Sequence, residues 1–260
     1  MLLANSLLGL KKYKPLLNNL ISRDIKVKYR RSVLGLLWSV LNPLLMMVVM
    51  TIVFSQFFKF DIPNFPIYYL TGSLLWNFFS EATNGAMTSV VSNAPLLKKV
   101  YIPKYIFPLE KAMFSLVNLA FSVIAILIVL IFVPVEPTPL MFLTPIPVLY
   151  TFVFSLGVGL ALSAIGVLFR DIFHLYGVLL TAWMYLTPIF YPFEMVPGWA
   201  QTIIGLNPLY HFVSYFRNVF MYGVMPTLEE NVICVLISVI SLLLGVLIFK
   251  KTQNKFVLYL

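Results

Sequence analysis

Long apolar runs alternate with short polar breaks along this chain, and the breaks carry most of the charge. Arg30 and Arg31 lead straight into Ser32-Val33-Leu34-Gly35-Leu36-Leu37-Trp38-Ser39-Val40-Leu41-Asn42-Pro43, so a cationic segment becomes apolar within a few residues. A helix needs about 20 mainly apolar residues to cross the hydrocarbon of a bilayer. Runs of that kind are predicted over 33–58, 67–91, 106–133, 147–169, 173–190 and 232–249. The first is long enough to tilt. Asn42-Pro43 predicts a break in its regular helix, because proline lacks the backbone donor that a helix interior uses. Trp38 suits the membrane interface near its start. Upstream, Leu16, Leu17, Leu20, Ile21 and Ile25 recur at helical spacing opposite Asn18, Asn19, Ser22, Arg23 and Lys26. That pattern predicts an amphipathic helix over 14–31 lying in the interface, with Pro15 in its first turn.

The breaks give the topology. Lys59, Asp61, Pro63, Asn64 and Pro66 predict a short external loop, and Pro134, Glu136, Pro137 and Pro139 an external turn. Residues 92–104 hold Lys98, Lys99 and Lys104 between Pro95 and Pro103, with Leu96, Leu97, Val100 and Ile102 as an apolar face. Such a stiff, basic, amphipathic connector is what a cytoplasmic motor would push on; an ordinary interfacial loop has the same pattern. Residues 193–222 are apolar but broken at Pro197-Gly198 and Asn207-Pro208, leaving pieces near 199–206 and 209–222 that are too short to cross. They read either as a re-entrant hairpin entering from outside or as one further broken span. Lysine and arginine favour the cytoplasmic side. With six spans both termini are cytoplasmic and only Lys59 and Arg217 fall outside; a seventh would move Lys250 and Lys251 to the wrong face. The expected architecture is one all-α integral membrane domain over 1–260, with six spans, the interfacial helix and the hairpin.

Composition agrees. Of 260 residues, 61% are hydrophobic and 10% charged, and the mean hydropathy is +0.96. Roughly a quarter of residues are charged in soluble domains, so this chain belongs in a membrane. The formal charge of +9 reads as orientation of the spans rather than as a nucleic-acid surface. Cys234 is the only cysteine, which excludes an internal disulfide and a cysteine-built metal site. The sequence holds no Gly-Lys dipeptide and hence no Walker A phosphate loop, and no Gly-x-Ser-x-Gly. Neither histidine pairs with another at metal-ligand spacing. No catalytic or metal-binding residue is therefore expected.

Glu81 is the one charge deep inside a predicted span, and acids there are functional candidates by default. It either serves transport or pairs with a neighbour for structure. Arg170-Asp171 closes the fourth run, as a span-end ion pair or as contact with a cytoplasmic partner. Gly157, Gly159, Ala161, Ser163 and Gly166 line up small residues that allow close helix packing. Aromatics make up 16% of the chain; Tyr69, Trp76, Phe79, Tyr185 and Tyr191 are candidates to line a conduit, together with Trp38, Asn42 and Glu81.

Taken in order, several motifs resemble one family nearly end to end. They are Arg31-Ser32-x-Leu34-Gly35-x-Leu37-Trp38-x-x-Leu41-Asn42-Pro43, then Tyr69-Leu70-x-Gly72 with Trp76 and Phe79, then Asn93 and Leu96-x-Lys98-Lys99-Val100-x-x-Pro103. Phe169-Arg170-Asp171-Ile172, Thr187-Pro188-Ile189, Asn207-Pro208-Leu209 and Phe216-Arg217 follow. The chain resembles the permease subunit of polysaccharide-exporting ABC transporters, which handle O-antigen, capsule and teichoic acid. The resemblance implies a homodimer in the bacterial inner membrane with two ATPase subunits that hold ATP and magnesium, no cofactor in this chain, and a lipid-linked glycan as substrate. It implies that 92–104 is the coupling helix, with Asn93, Leu96, Lys98, Lys99, Val100, Tyr101, Pro103, Arg170 and Asp171 facing the ATPase. It implies that the hairpin over 193–222, with Trp199, Asn207, Pro208 and Arg217, forms external gate helices. Arg23, Lys26, Lys28, Arg30 and Arg31 then meet the diphosphate of the carrier or anionic lipid, or serve orientation alone. An exporter of drugs or small lipids on the same scaffold is the alternative, and a membrane-embedded glycan-modifying enzyme a more distant one.

Overall fold

The computed structural model describes residues 2–30, 32–58, 62–133 and 135–259, with side chains from residue 12 onward except 257. Arg31, Lys59, Asp61 and Pro134 lie outside the described residues. The chain folds into helices α1 (Leu2–Tyr29), α2 (Trp38–Thr51), α3 (Phe65–Ser92), α4 (Ala94–Leu97), α5 (Ile106–Phe132) and α6 (Pro145–Leu168). It continues through α7 (Ile172–Tyr185), α8 (Gly198–Gly205), α9 (Pro208–Arg217), α10 (Leu228–Thr252) and α11 (Phe256–Tyr259). There is no strand among the described residues.

Four helical segments are long and apolar enough to cross a membrane: Gly35–Phe57, Ile106–Phe132, Pro139–Leu168 and Leu228–Lys255. The other two expected spans differ from these. Helix α7 has 14 residues, which at 1.5 Å each reach only about 21 Å against a hydrocarbon core of about 30 Å. Helix α3 has 28 residues but is diluted by Tyr68, Tyr69, Asn77, Glu81 and Asn84. It tolerates them because it stands in the middle of the molecule. Nearly every residue from Ile67 to Phe79 is buried, against α5 and α6 on its sides and α9 at one end. Phe79 is the hub of that core, 5.5 Å from the Phe154 ring and 5.1 Å from Trp183, with Phe212 5.6 Å beyond Phe154.

The small residues of α6 serve two neighbours. A Cβ on Gly157 would lie 2.5 Å from the Leu242 nitrogen, and one on Gly245 would lie 2.1 Å from the Gly157 oxygen, so α6 and α10 cross backbone to backbone. A Cβ on Gly159 would meet Ala86 of α3 at 2.8 Å. Without water to drive association, such close approach is how helices gain contact in lipid.

Two expectations change. The N-terminal helix is longer than 14–31, running from Leu2 to Tyr29 with Pro15 in its interior. Its apolar face is also less free than an interfacial helix needs: Leu20 is buried with Ile102, Ile106 and Phe107, and Leu16 and Leu17 pack beside them. Asn42-Pro43 produces no break, since α2 runs through it; the irregular turn, of π type, comes later at Ile52–Phe57. The reason is local. Pro43 cannot bond the Ser39 carbonyl four residues back, and the Ser122 hydroxyl of α5 donates to that carbonyl at 3.0 Å instead. A neighbouring helix thus satisfies the freed group, as membrane interiors require.

Candidate functional site

Helices α2, α3 and α5 enclose a cavity of about 760 Å³ that runs from Lys28 and Tyr29 at one end to Ile189 and Phe190 at the other. Of the conduit residues expected from sequence, Trp38, Asn42, Tyr69, Trp76 and Glu81 line it. Phe79 does not; it is fully buried in the core. Tyr185 is exposed elsewhere, and the Tyr191 hydroxyl donates to the Tyr185 carbonyl at 2.6 Å. The α2 wall of the cavity has no buried residue of its own. Asn77, Ser80, Asn118 and Ser122 add amide and hydroxyl groups, residue types whose uncharged side chains gave no signal in the hydropathy pattern.

Glu81 has partners. The Lys28 ammonium lies 2.8 Å from its Oε1, and the Asn118 amide donates to both carboxylate oxygens at 3.0 Å. One helical turn earlier on α1, Asp24 takes hydrogen bonds from Lys111 of α5 and from Arg23, the latter at 2.8 Å. Residues 24 and 28 share a helix face, so α1 is pinned along one line to α5 and α3. Burial pushes the Asp24 carboxyl up, but hydrogen bonds and charge from Lys111 and Arg23 outweigh it and leave it below the usual carboxylate range. Glu110 is fully buried beside this cluster, 3.5 Å from the Lys111 ammonium. Lys26 and Arg30 are exposed, Arg23 is half-exposed, and Arg31 lies outside the described residues.

The same end of the molecule carries the connector. Asn93 ends α3, its amide donating to the Ser89 carbonyl at 2.8 Å, and α4 is a single turn. Lys98, Lys99, Val100 and Tyr101 are exposed, Tyr101 at 90%, whereas Leu96 and Pro103 are half-buried. Leu97 joins Val90, Val167 and Phe256 in one apolar cluster, which sets the connector beside the α6–α7 turn where Arg170 and Asp171 are exposed. Lys104 donates to the Gln253 carbonyl at 2.5 Å and lies 5.3 Å from the Phe256 ring, and its burial lowers its proton affinity. The connector therefore touches α1 through Leu96 and Ile102 and the end of α10 through Lys104.

At the opposite end, the expected hairpin consists of α8 and α9, and its motif residues form a clasp. Asn207 caps α9 by accepting from the Leu209 nitrogen at 3.0 Å, and it also accepts from the Trp183 indole at 2.7 Å. Its amide donates to the Leu186 carbonyl at 3.0 Å and the Thr187 hydroxyl at 2.9 Å. Pro208 opens α9, and Trp199 is exposed. Arg217, 5% exposed, donates through Nη1 to the Pro188 carbonyl at 2.7 Å and through Nη2 to Tyr68 and Ile189 carbonyls at 3.0 and 3.1 Å. Its guanidinium sits 3.5 Å from the Tyr68 ring. Gly72 leaves the room: a Cβ there would lie 2.8 Å from Nη2. Three separated motifs, Tyr69-Leu70-x-Gly72, Thr187-Pro188-Ile189 and Phe216-Arg217, thus close on one cation. A second pocket of about 340 Å³ opens beside it, between Tyr68, Glu194, Tyr210 and Tyr222.

No group of three or more histidine, cysteine, aspartate or glutamate side chains able to hold a metal occurs among the described residues. An all-helical bundle with several apolar spans, a large open cavity beside them and an exposed basic connector fits a multi-pass membrane transport component. The chain belongs to the ABC-2 type transporter family, whose model matches residues 15–221. It is similar to the O-antigen export system permease protein RfbA of Myxococcus xanthus, at 31% identity over 94% of this chain and 95% of that one. It is also similar to RfbA of Klebsiella pneumoniae, at 30% over 90% and 91%, and to the capsule polysaccharide export inner-membrane protein BexB of Haemophilus influenzae, at 28% over 90% of each. Family membership makes the chain a permease rather than an enzyme and implies a separate ATPase.

Proposed function

We propose that this chain is the permease half of a homodimeric ABC exporter that moves a lipid-linked polysaccharide out of the cytoplasm. The observation that carries the reading is the cavity over α2, α3 and α5, where aromatic rings, amides and hydroxyls stand among apolar side chains such as Met46, Met50, Leu74 and Met184. Sugar rings stack on aromatic faces and their hydroxyls pair with amides, so this lining suits a glycan. The bare α2 wall faces a second copy, and the two cavities join into one conduit. The relatives named for O-antigen and capsule export support the substrate class.

The basic end faces the cytoplasm, by the positive-inside rule. The chain crosses six times, with α3 and α7 as the two crossings screened by protein, both termini inside, and the α8–α9 hairpin dipping in from outside. Two ATPase subunits, which hold the ATP and magnesium, dock on Lys98, Lys99, Val100, Tyr101, Arg170 and Asp171. Their push reaches α1 through the Leu20–Ile102 contact. Arg23, Lys26 and Arg30 meet the diphosphate of the lipid carrier at the mouth, arginine forks matching phosphate oxygens.

The test is deletion of the chain in its own host, followed by complementation. Loss of surface polysaccharide with retention of the lipid-linked polymer inside is expected. Charge reversal at Lys98 and Lys99 is expected to restore neither export nor association with the ATPase. A deletion that leaves the surface polysaccharide unchanged overturns the reading.

A further inference from the structure

The charge on the conduit wall bears on which polysaccharide can pass. Among the described residues, Lys28 and Glu81 are the only charged side chains that line the 760 Å³ cavity, and they neutralise each other at 2.8 Å. Asn118 engages both carboxylate oxygens, which fixes the acid on the wall. The rest of the polar lining is uncharged, from Asn42, Asn77, Ser80 and Ser122. At the other end, the 340 Å³ pocket offers tyrosine rings, Ser214 and Asn218. Its cation, Arg217, is buried and committed to three carbonyls, while its acid, Glu194, is exposed.

Pores that pass anions present lysine or arginine along the way, and acids on the wall exclude them. A chain bearing a carboxylate or phosphate in every repeat would find no uncommitted cation among these lining residues. A neutral glycan meets hydroxyl, amide and aromatic groups that match it, set among apolar side chains. We propose that the cavity is a filter for uncharged glycan repeats, and that Glu81, by holding Lys28 in an ion pair, leaves the described lining without a free cation and so sets selectivity against polyanionic chains. This rests on the export reading above. The clamp that holds Glu81 reaches from the surface helix to the two spans behind it, so the filter stands just inside the mouth.

The experiment uses the chain with its ATPase partner in two hosts that lack an exporter of their own. One host builds a neutral hexose polymer, and the other a uronic-acid polymer, on the same lipid diphosphate. Surface and retained polymer are both quantified. The wild-type pair is expected to export the neutral polymer at least about tenfold better, since an anion that leaves water for a wall without a free cation is not repaid for its lost hydration. Glu81→Gln is expected to raise the ratio of anionic to neutral export several-fold. Asn77 is an exposed lining position one turn from Glu81, where substitution spares the core. Asn77→Lys is expected to raise the same ratio and Asn77→Asp to lower it, so the test survives if Glu81→Gln fails to accumulate. Export of both polymers within about twofold by the wild type overturns the filter and leaves the export reading standing. So does an unmoved ratio in Asn77→Lys and Asn77→Asp proteins that reach the membrane at normal levels. Export of neither polymer overturns both.

Discussion

Replacing Arg217 with methionine removes the cation that closes the end of the bundle opposite the connector while nearly keeping its volume. In the native fold the guanidinium supplies donors to the carbonyls of Pro188, Ile189 and Tyr68 and lies on the Tyr68 ring. The Pro188–Ile189 backbone is irregular, so the Pro188 and Ile189 carbonyls have no helical partners waiting, whereas the Tyr68 carbonyl, inside α3, also accepts from the Thr71 hydroxyl. Hydrogen bonds to a charged group contribute about 1.5–3 kcal/mol each, and a buried acceptor left unpaired costs about 1–3 kcal/mol. Part of that is offset because the buried charge no longer has to be desolvated. Removal of one side of a buried charged network costs about 3–5 kcal/mol in measured cases, and we expect a value in that range. At roughly 2–4 °C per kcal/mol for a chain of this size, the melting temperature of the detergent-solubilised protein should fall by about 10 °C. Arg217→Lys should recover only part, since an ammonium lacks the planar fork. Gly72→Ala should destabilise the wild type, because its Cβ would press on Nη2 at 2.8 Å. It should cost at least about 1 kcal/mol less in an Arg217→Ala background, as expected for residues in contact. A methionine variant that inserts normally and melts within 2 °C of the wild type, by a rough measure of assay precision, would refute the clasp.

Gly245→Ala should disrupt the α6–α10 crossing, because the new Cβ would fall 2.1 Å from the Gly157 oxygen. A loss of about 1–3 kcal/mol by overpacking, read in an SDS unfolding titration, is expected. Ser122→Ala should leave the Ser39 carbonyl without a donor and cost about 1–3 kcal/mol; that loss should vanish when Pro43 is also replaced by alanine, which restores the helical donor. The Asp24 carboxyl is held below its usual range, so its contribution to docking α1 is complete above about pH 4. It is lost as the pH falls through the lowered value. Protection of α1 amides from hydrogen exchange should drop over that acid interval. In Asp24→Asn, protection should be lower already at neutral pH and should change less on acidification than in the wild type.

Much of this was legible before any coordinates. The ends of α5, α6 and α10 fall within a few residues of the apolar runs, because a lipid-facing helix must be apolar along its length. The amphipathic face of α1, the short connector and the two hairpin pieces were also visible. Helix α3 was visible as a run, but its central position was not. Hydropathy records only whether a residue avoids water and does not distinguish lipid from protein as the surroundings. Proline at 43 misled for a related reason. The rule that proline breaks a helix assumes that nothing else supplies the missing hydrogen bond, and Ser122 supplies one from another helix.

The amino-acid sequence by itself determined the class of the protein, its long apolar helices and the end that carries the positive charge. These follow from composition and from periodicity, both of which act over one or two helical turns. The tertiary structure alone decided which polar residues meet. Lys28 finds Glu81 across 53 residues, and Arg217 finds the Tyr68 carbonyl across 149. Such pairings depend on which helix faces pack together and at what height. In a membrane that is settled by close backbone contact and by the need to satisfy every buried polar group, and no local pattern in the chain encodes it.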